Sequence, residues 1–107
     1  FTMVHQFCAI GAYSFSAMGT VISKDVPPFV TVSGNSARPH GLNTEGLKRR
    51  GFSPQTLREL RRAYKTIYKQ GLKLQQAVAA LKEPAEKVPE VARLREFVAS
   101  SGRGIVR

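Results

Sequence analysis

Residues 4–27 repeat on themselves every six positions, in four rows that begin at Val4, Ile10, Ser16 and Ile22. The first position of a row is aliphatic in three of the four. The second is mostly small (Gly11, Ala17, Ser23), and the fifth is small or β-branched throughout (Cys8, Ser14, Thr20, Val26). A six-residue period of this kind predicts a parallel β-helix, in which each hexad supplies one short strand and one corner. Aliphatic and small side chains then stack inside a narrow triangular core. In the left-handed form three hexads close one coil, an exception to the right-handed rule for crossovers. An ordinary hairpin with coincidental spacing is the competing reading, and Ser16 interrupts the aliphatic column.

Four rows make fewer than two coils, too few to bury a core, because each repeat is stabilised by its neighbours. The repeat is therefore expected to continue before residue 1, and a chain that starts at Phe1 without methionine reads as a fragment or a processed product. The run from Asp25 through Pro27 and Pro28 to Val30 breaks the period. Consecutive prolines remove ladder donors and are expected to end the stack of strands. Gly34-Asn35 reads as a turn out of it.

Composition changes near residue 43. The earlier part is rich in Val, Ile, Phe, Thr, Ser and Gly; the later part is rich in Leu, Ala, Lys, Arg, Gln and Glu. These sets favour strands and helices respectively. The expected organisation is a β-helix plus α architecture: final hexapeptide coils over 1–32, a connecting loop over 33–43, and a helical domain over 44–107. Asn43 or Thr44 caps a short helix running through Arg50 and ending at Gly51. Ser53-Pro54 is an N-cap followed by proline at the first helical position. Leu57, Leu60, Tyr64, Ile67 and Tyr68 form an apolar stripe, with Gly71 as a stop. A third helix is expected over about 74–82, with Leu74, Val78 and Leu81 on one side and Pro84 just past its end. Pro89 starts the last helix, with Val91, Leu94, Phe97 and Val98 as its buried face.

The net charge of +10 follows the same division. Residues 1–43 hold Lys24 and Arg38 against Asp25, a net of +1, and the remainder carries +9. Arg58, Arg61, Arg62, Lys65 and Lys69 lie largely opposite the stripe of the long helix, where a solvated face and a docking face for an acidic partner, nucleotide or nucleic acid are both open readings. Neither zinc-finger spacings nor RNP-type aromatics are present, so nucleic-acid binding is the weaker class, and a helix-turn-helix over 53–82 lacks a distinctive turn. The lone cysteine, Cys8, excludes an internal disulfide and a multi-cysteine zinc site. No apolar run approaches the length of a membrane span.

Three stretches, residues 4–8, 25–29 and 41–52, together resemble the C-terminal part of the UDP-N-acetylglucosamine O-acyltransferase family. The run Asn43-Thr-Glu-Gly-Leu-Lys-Arg-Arg-Gly-Phe52 is the most specific, and residues 102–107 resemble the family's chain end. The resemblance covers essentially the whole chain. It implies a left-handed parallel β-helix with a helical domain, assembled as a homotrimer in the cytoplasm of a Gram-negative bacterium. It also implies transfer of an (R)-3-hydroxyacyl group from acyl carrier protein to the 3-hydroxyl of UDP-N-acetylglucosamine, the first step of lipid A synthesis, without metal or redox cofactor.

In that family a histidine acts as general base, a task suited to a side chain titrating near neutrality. The resemblance places it in an earlier coil, so no catalytic residue is expected in this chain and the fragment alone is expected to be inactive. Taken alone, His5 could be a base or a hydrogen-bonded wall residue; the resemblance assigns His5 and Gln6 to substrate binding. His40 reads as structural. Asn43, Glu45, Arg49 and Arg50 match nucleotide-binding positions, where a carboxylate can accept from ribose hydroxyls and guanidinium groups can clamp phosphate or stack on uracil. As plain helix chemistry, Glu45 and the arginines also suit the two ends of the helix dipole. Phe15 and Met18 match the acyl groove, with Met18 at the position that limits chain length. Its side chain fills the space of about four methylenes, so an acyl chain near ten carbons is expected rather than one near fourteen. Ser36 is smaller than residues found there in some relatives. Arg58, Arg61 and Arg62 become candidate docking residues for the acidic carrier protein. The competing class is a stand-alone basic helical module that binds an acidic protein or nucleic acid.

Overall fold

The computed structural model describes residues 2–102 and 104–107; Phe1, on which the expectation about the chain start falls, and Arg103, within the 102–107 run, lie outside them. The expected coils are present. Strands β1 (Met3–Val4), β2 (Phe15–Ser16), β3 (Val21–Ile22) and β4 (Val30–Ser33) are short, as one strand per hexad requires. β1 pairs in parallel with β3, Met3 against Val21 and Val4 against Ile22, a separation of eighteen residues or three hexads. The coil then tightens. Ile10 bridges Val26, and Phe15 and Ser16 pair with Thr31 and Val32, each sixteen residues on, and Val21 bridges Asn35 at fourteen. Ile10 is thus stacked on Val26, at the fifth position of its row.

Corner geometry supplies a regularity that the side chains do not show. Phe7, Tyr13 and Gly19, six residues apart at the fourth position of the first three rows, have φ of 69°, 59° and 77°. The left-handed region is uncommon for any residue with a Cβ. Backbone bonds close the corners, Cys8 N–H to His5 O at 3.2 Å and Thr20 N–H to Ala17 O at 3.2 Å. Ser16, which interrupts the aliphatic column, is half-buried, and its hydroxyl meets that of Thr2 at 2.8 Å.

Two expectations about the end of the stack are corrected. The prolines form a corner within it, since β4 continues beyond them and pairs with β2. Gly11 packs directly against this corner, where a Cβ would collide with the Pro27–Pro28 backbone. The stretch 33–43, expected as a loop, contains β5 (Arg38–Leu42), which runs antiparallel to β4 with a register shift between Val30 and Val32. Pro39 is tolerated because β5 lies at the sheet edge.

Five helices follow: α1 (Thr44–Arg49), α2 (Pro54–Tyr68), α3 (Leu74–Ala80), α4 (Lys82–Lys87) and α5 (Pro89–Ser100). Asn43, and not Thr44, caps α1 by accepting from Gly46 N–H, and Ser53 Oγ accepts from Thr56 N–H at 3.1 Å to cap α2. Pro84 sits inside the first turn of α4, where an amide would have no intrahelical partner, so it does not stop the chain's helical path.

Phe29, from the last coil, is fully buried among Leu47, Leu60, Leu81, Val91 and Leu94 of the helical unit. Reciprocally, Tyr64 of α2 packs with Ile22, Val26, Val30 and Val32. The C-terminal tail tightens this seam. Asp25 and Ile105 form a parallel bridge, Val106 N–H donates to Asp25 O at 2.8 Å, and Tyr68 Oη donates to Val106 O at 2.8 Å. The buried Asp25 carboxylate accepts from Ala9 N–H at 2.8 Å and from Ser101 Oγ at 2.5 Å.

Candidate functional site

The seam between coil and helices opens into a cleft of about 440 Å³. Phe15 of β2 forms part of one wall, and Leu42, Asn43, Glu45, Gly46 and Arg49, from the end of β5 and from α1, form much of the rest. Three of the four expected nucleotide-binding residues are therefore brought together beside one of the expected acyl-groove residues. Their placement follows from the helix. Glu45 and Arg49 are four residues apart and share a face. Glu45 stands in the first turn and Arg49 in the last, so each charge complements the nearer end of the dipole.

Asn43 is fixed from two sides. Its Oδ1 accepts from Gly46 N–H at 3.3 Å, and its Nδ2 donates to the carbonyl of Tyr13 at 3.1 Å. Arg50, the fourth expected residue, does not line this cleft. It is the C-cap of α1, and its guanidinium carbon lies 5.7 Å from the centroid of the Tyr13 ring. Sequence reasoning missed Tyr13, whose row position has no shared chemistry, and Gly46, whose role shows only once the Asn43 side chain is placed.

His5 and Gln6 occupy the exposed turn after β1 and do not line the cleft. His5 Nδ1 lies 2.9 Å from Gln6 O. A carbonyl only accepts, so that bond requires the proton on Nδ1 and leaves the Nε2 lone pair available in the neutral ring. Met18 is 84% exposed at a corner, with Met3 at 68% and Phe7 at 78% also turned outward. His40 is exposed on β5, and Ser36 is exposed in the turn before it. Arg58, Arg61 and Arg62 are exposed on α2, with Arg62 paired to Glu59 at 3.2 Å.

Burial raises the Tyr68 phenol well above its ordinary value, reinforced by the neighbouring Tyr64 and only partly countered by Arg107. Burial also raises Tyr64, against the lowering effect of Gly41 N–H, which donates to its oxygen at 2.9 Å. Both phenols belong to the seam. Among the described residues, no group of three His, Cys, Asp or Glu side chains could hold a metal ion. No described helix is long and apolar enough to cross a membrane.

Parallel coils of fourteen to eighteen residues, closed by a helical unit and carrying a carboxylate–arginine cleft at the seam, define the end of a hexapeptide-repeat β-helix protein. The sequence profile of the family described as Udp N-acetylglucosamine O-acyltransferase, domain 2, matches residues 25–106. The acyl-[acyl-carrier-protein]--UDP-N-acetylglucosamine O-acyltransferase of Pseudomonas fluorescens strain Pf0-1 is 59% identical over 107 residues, all of this chain and 42% of that protein. The crystal structure of UDP-N-acetylglucosamine O-acyltransferase from Moraxella catarrhalis superposes with a TM-score of 0.95 at 40% identity, over 99% of this chain and 41% of that one. The acyltransferase of Francisella novicida gives a TM-score of 0.94 at 39% identity, over 99% of this chain and 39% of that one. The chain belongs to the UDP-N-acetylglucosamine O-acyltransferase family, and its coils are those of a left-handed β-helix. It spans 42% of the length of the curated relatives it matches.

Proposed function

We propose that these residues serve, in a protein of its relatives' length, the transfer of an (R)-3-hydroxyacyl chain from acyl carrier protein to the 3-hydroxyl of UDP-N-acetylglucosamine, the first step of lipid A synthesis. The observation that carries the reading is the cleft that sets Asn43, Glu45 and Arg49 beside Phe15. In it, Glu45 accepts from ribose hydroxyls, Arg49 takes the diphosphate and Asn43 orients the sugar nucleotide, while Arg50 reaches the diphosphate or the uracil from beside the cleft. Phe15 and Met18 guide the acyl chain, and His5 and Gln6 hold substrate from a separate turn, His5 through Nε2.

The sugar hydroxyl attacks the thioester carbonyl as a histidine of an earlier coil takes its proton. The C–S bond breaks, an ester forms, and the carrier leaves as its thiol. No electron changes hands, so the proposed reaction calls for no redox cofactor, and the histidine supplies the base without a metal. The outward apolar side chains Met3, Phe7 and Met18 suit coverage by neighbouring subunits of a homotrimer. Arg58, Arg61 and Arg62 suit docking of the acidic carrier protein, which places the enzyme in the cytoplasm with its donor.

The test is transfer by the full-length enzyme with a 3-hydroxyacyl carrier protein and UDP-N-acetylglucosamine. Glu45→Ala and Arg49→Ala should each raise KM for the sugar nucleotide by about tenfold or more, the worth of a hydrogen bond to a charged group. Absence of transfer, or an unchanged KM in both variants, would refute the proposal.

A further inference from the structure

Tyr13 touches both ends of α1, and by two different parts of the residue. At the N-terminal end its carbonyl accepts from Asn43 Nδ2 at 3.1 Å. At the C-terminal end its ring lies under the Arg50 guanidinium, 5.7 Å from ring centroid to guanidinium carbon. Asn43 and Arg50 are the two residues that bound the helix, so one corner of the coil holds its whole length.

The ring is itself held. It stacks on Phe29 with centroids 5.9 Å apart and planes 5° apart, and meets Phe52 edge-on at 5.2 Å. Phe29 and Phe52 are in turn tied to the same helix, since Asn43 N–H donates to Phe29 O at 2.7 Å and Phe52 N–H donates to Leu47 O at 3.1 Å. The main chain of Tyr13 reaches this position at φ 59°, in the left-handed region that residues with a Cβ rarely adopt. Such conformations persist where the surroundings over-determine them. An apolar packing role alone would need neither the carbonyl's aim at Asn43 nor a cation over the ring face.

We infer that Tyr13 is a positioning residue for the sugar-nucleotide site, its main chain setting Asn43 and its ring setting Arg50. The inference rests on the nucleotide role proposed above for those two side chains. Held over the ring, Arg50 meets a diphosphate or uracil with fewer rotamers to give up, which raises affinity by pre-organisation.

The experiment is calorimetric binding of UDP-N-acetylglucosamine to the full-length enzyme carrying either Tyr13→Phe or pentafluorophenylalanine at position 13. Both retain a six-membered ring and a peptide carbonyl, so the folded packing is conserved. Fluorination, however, reverses the ring quadrupole that attracts a cation. Tyr13→Phe should bind within about twofold of wild type, while the fluorinated ring should raise Kd about two- to fivefold, the measure of an exposed cation–π contact. With Arg50→Ala in the background the fluorinated ring should cost nothing further, and KM for the acyl donor should not move. Equal Kd for the phenyl and fluorinated rings, with Kd still raised by Arg50→Ala, would overturn the role of Tyr13 and leave the nucleotide site standing. If Arg49→Ala and Arg50→Ala are both without effect on Kd, the nucleotide reading itself falls.

Discussion

Gly46→Ala should change sign with the identity of residue 43. Gly46 is the third residue of α1, and a Cβ built on it lands on the Asn43 amide, colliding with Nδ2 and coming within 2.8 Å of Cγ and Oδ1. The Asn43 side chain must rotate away. It then loses the cap bond from Gly46 N–H, worth about 1 kcal/mol, and the bond from its Nδ2 to Tyr13 O, worth about 1 kcal/mol. Against this, alanine is about 0.8–1 kcal/mol better than glycine inside a helix. The net effect is a loss of about 1 kcal/mol of folding stability. In an Asn43→Ala background the obstacle and both bonds are already gone, so the same substitution should stabilise by about 1 kcal/mol. The double variant therefore departs from additivity by about 2 kcal/mol, well beyond the scatter expected of independent sites. Denaturant unfolding of the full-length enzyme and its three variants measures this directly. A parallel calorimetric titration should show Gly46→Ala weakening UDP-N-acetylglucosamine by about fivefold or more, the worth of one displaced hydrogen bond, with no further loss beyond Asn43→Ala in the double variant. Stability effects of the same sign in both backgrounds would refute the collision argument.

Other expectations are open to equally direct measurement. Met18→Gly in the full-length enzyme removes about four heavy atoms from the proposed acyl groove and should shift preference from chains of about ten carbons towards about fourteen; an unchanged chain-length profile would reduce Met18 to a surface side chain. Reversing Arg58, Arg61 and Arg62 to Glu should raise KM for the acyl carrier protein severalfold at low salt and flatten its salt dependence, with KM for the sugar nucleotide unaltered; an unmoved carrier KM would leave that face merely solvated. The Tyr68 phenol is held neutral well above the ordinary tyrosine value of about 10, so its contribution to stability is complete below that pH. Above it the unfolded chain loses the proton first, and stability falls as pH climbs towards the raised folded value. Tyr68→Phe should flatten alkaline unfolding curves above pH of about 10, and identical slopes would show that other groups carry the effect.

The hexad rows were legible because a narrow core constrains side chains at fixed positions: Ile22 and Val26 are buried, Val4 and Ile10 stack on them while remaining about half exposed, and Ser16 lies beside Thr2. The progressive shortening of the coil was not, because residues dropped at a corner leave no mark on the apolar pattern. Pro27-Pro28 is ambiguous in sequence: two prolines end a strand, but whether they also end the stack depends on the backbone beneath them, here the Gly11 corner. β5 leaves no signal in the sequence because Arg38, Pro39 and His40 show no alternation of apolar and polar residues, its place being set by backbone pairing to β4. α3 ends at Ala80, short of the expected residue 82, and Pro84 lies inside the next helix, because its compatibility with a first helical turn lets α4 begin at Lys82.

The site divides along the same physical line. Asn43, Glu45, Arg49 and Arg50 lie on one short helix, so their chemistry and spacing are visible in a single run of sequence. Tyr13 is thirty residues from Asn43 along the chain and reaches it through a carbonyl oxygen, a group every residue possesses. Its distinguishing property is a left-handed φ shared with Phe7 and Gly19, which are chemically unlike it. A six-residue repeat therefore encodes two periodic signals. The core column is written in side-chain type and can be read directly, whereas the corner column is written in backbone conformation and tolerates phenylalanine, tyrosine and glycine alike. Because the first column is occupied with filling the core, the second is free to present different side chains outward, and at Tyr13 that freedom supplies a ring at a corner adjoining α1. The cleft lies beside that contact, where a corner residue of the coil meets a helix bounded by a polar amide and an arginine.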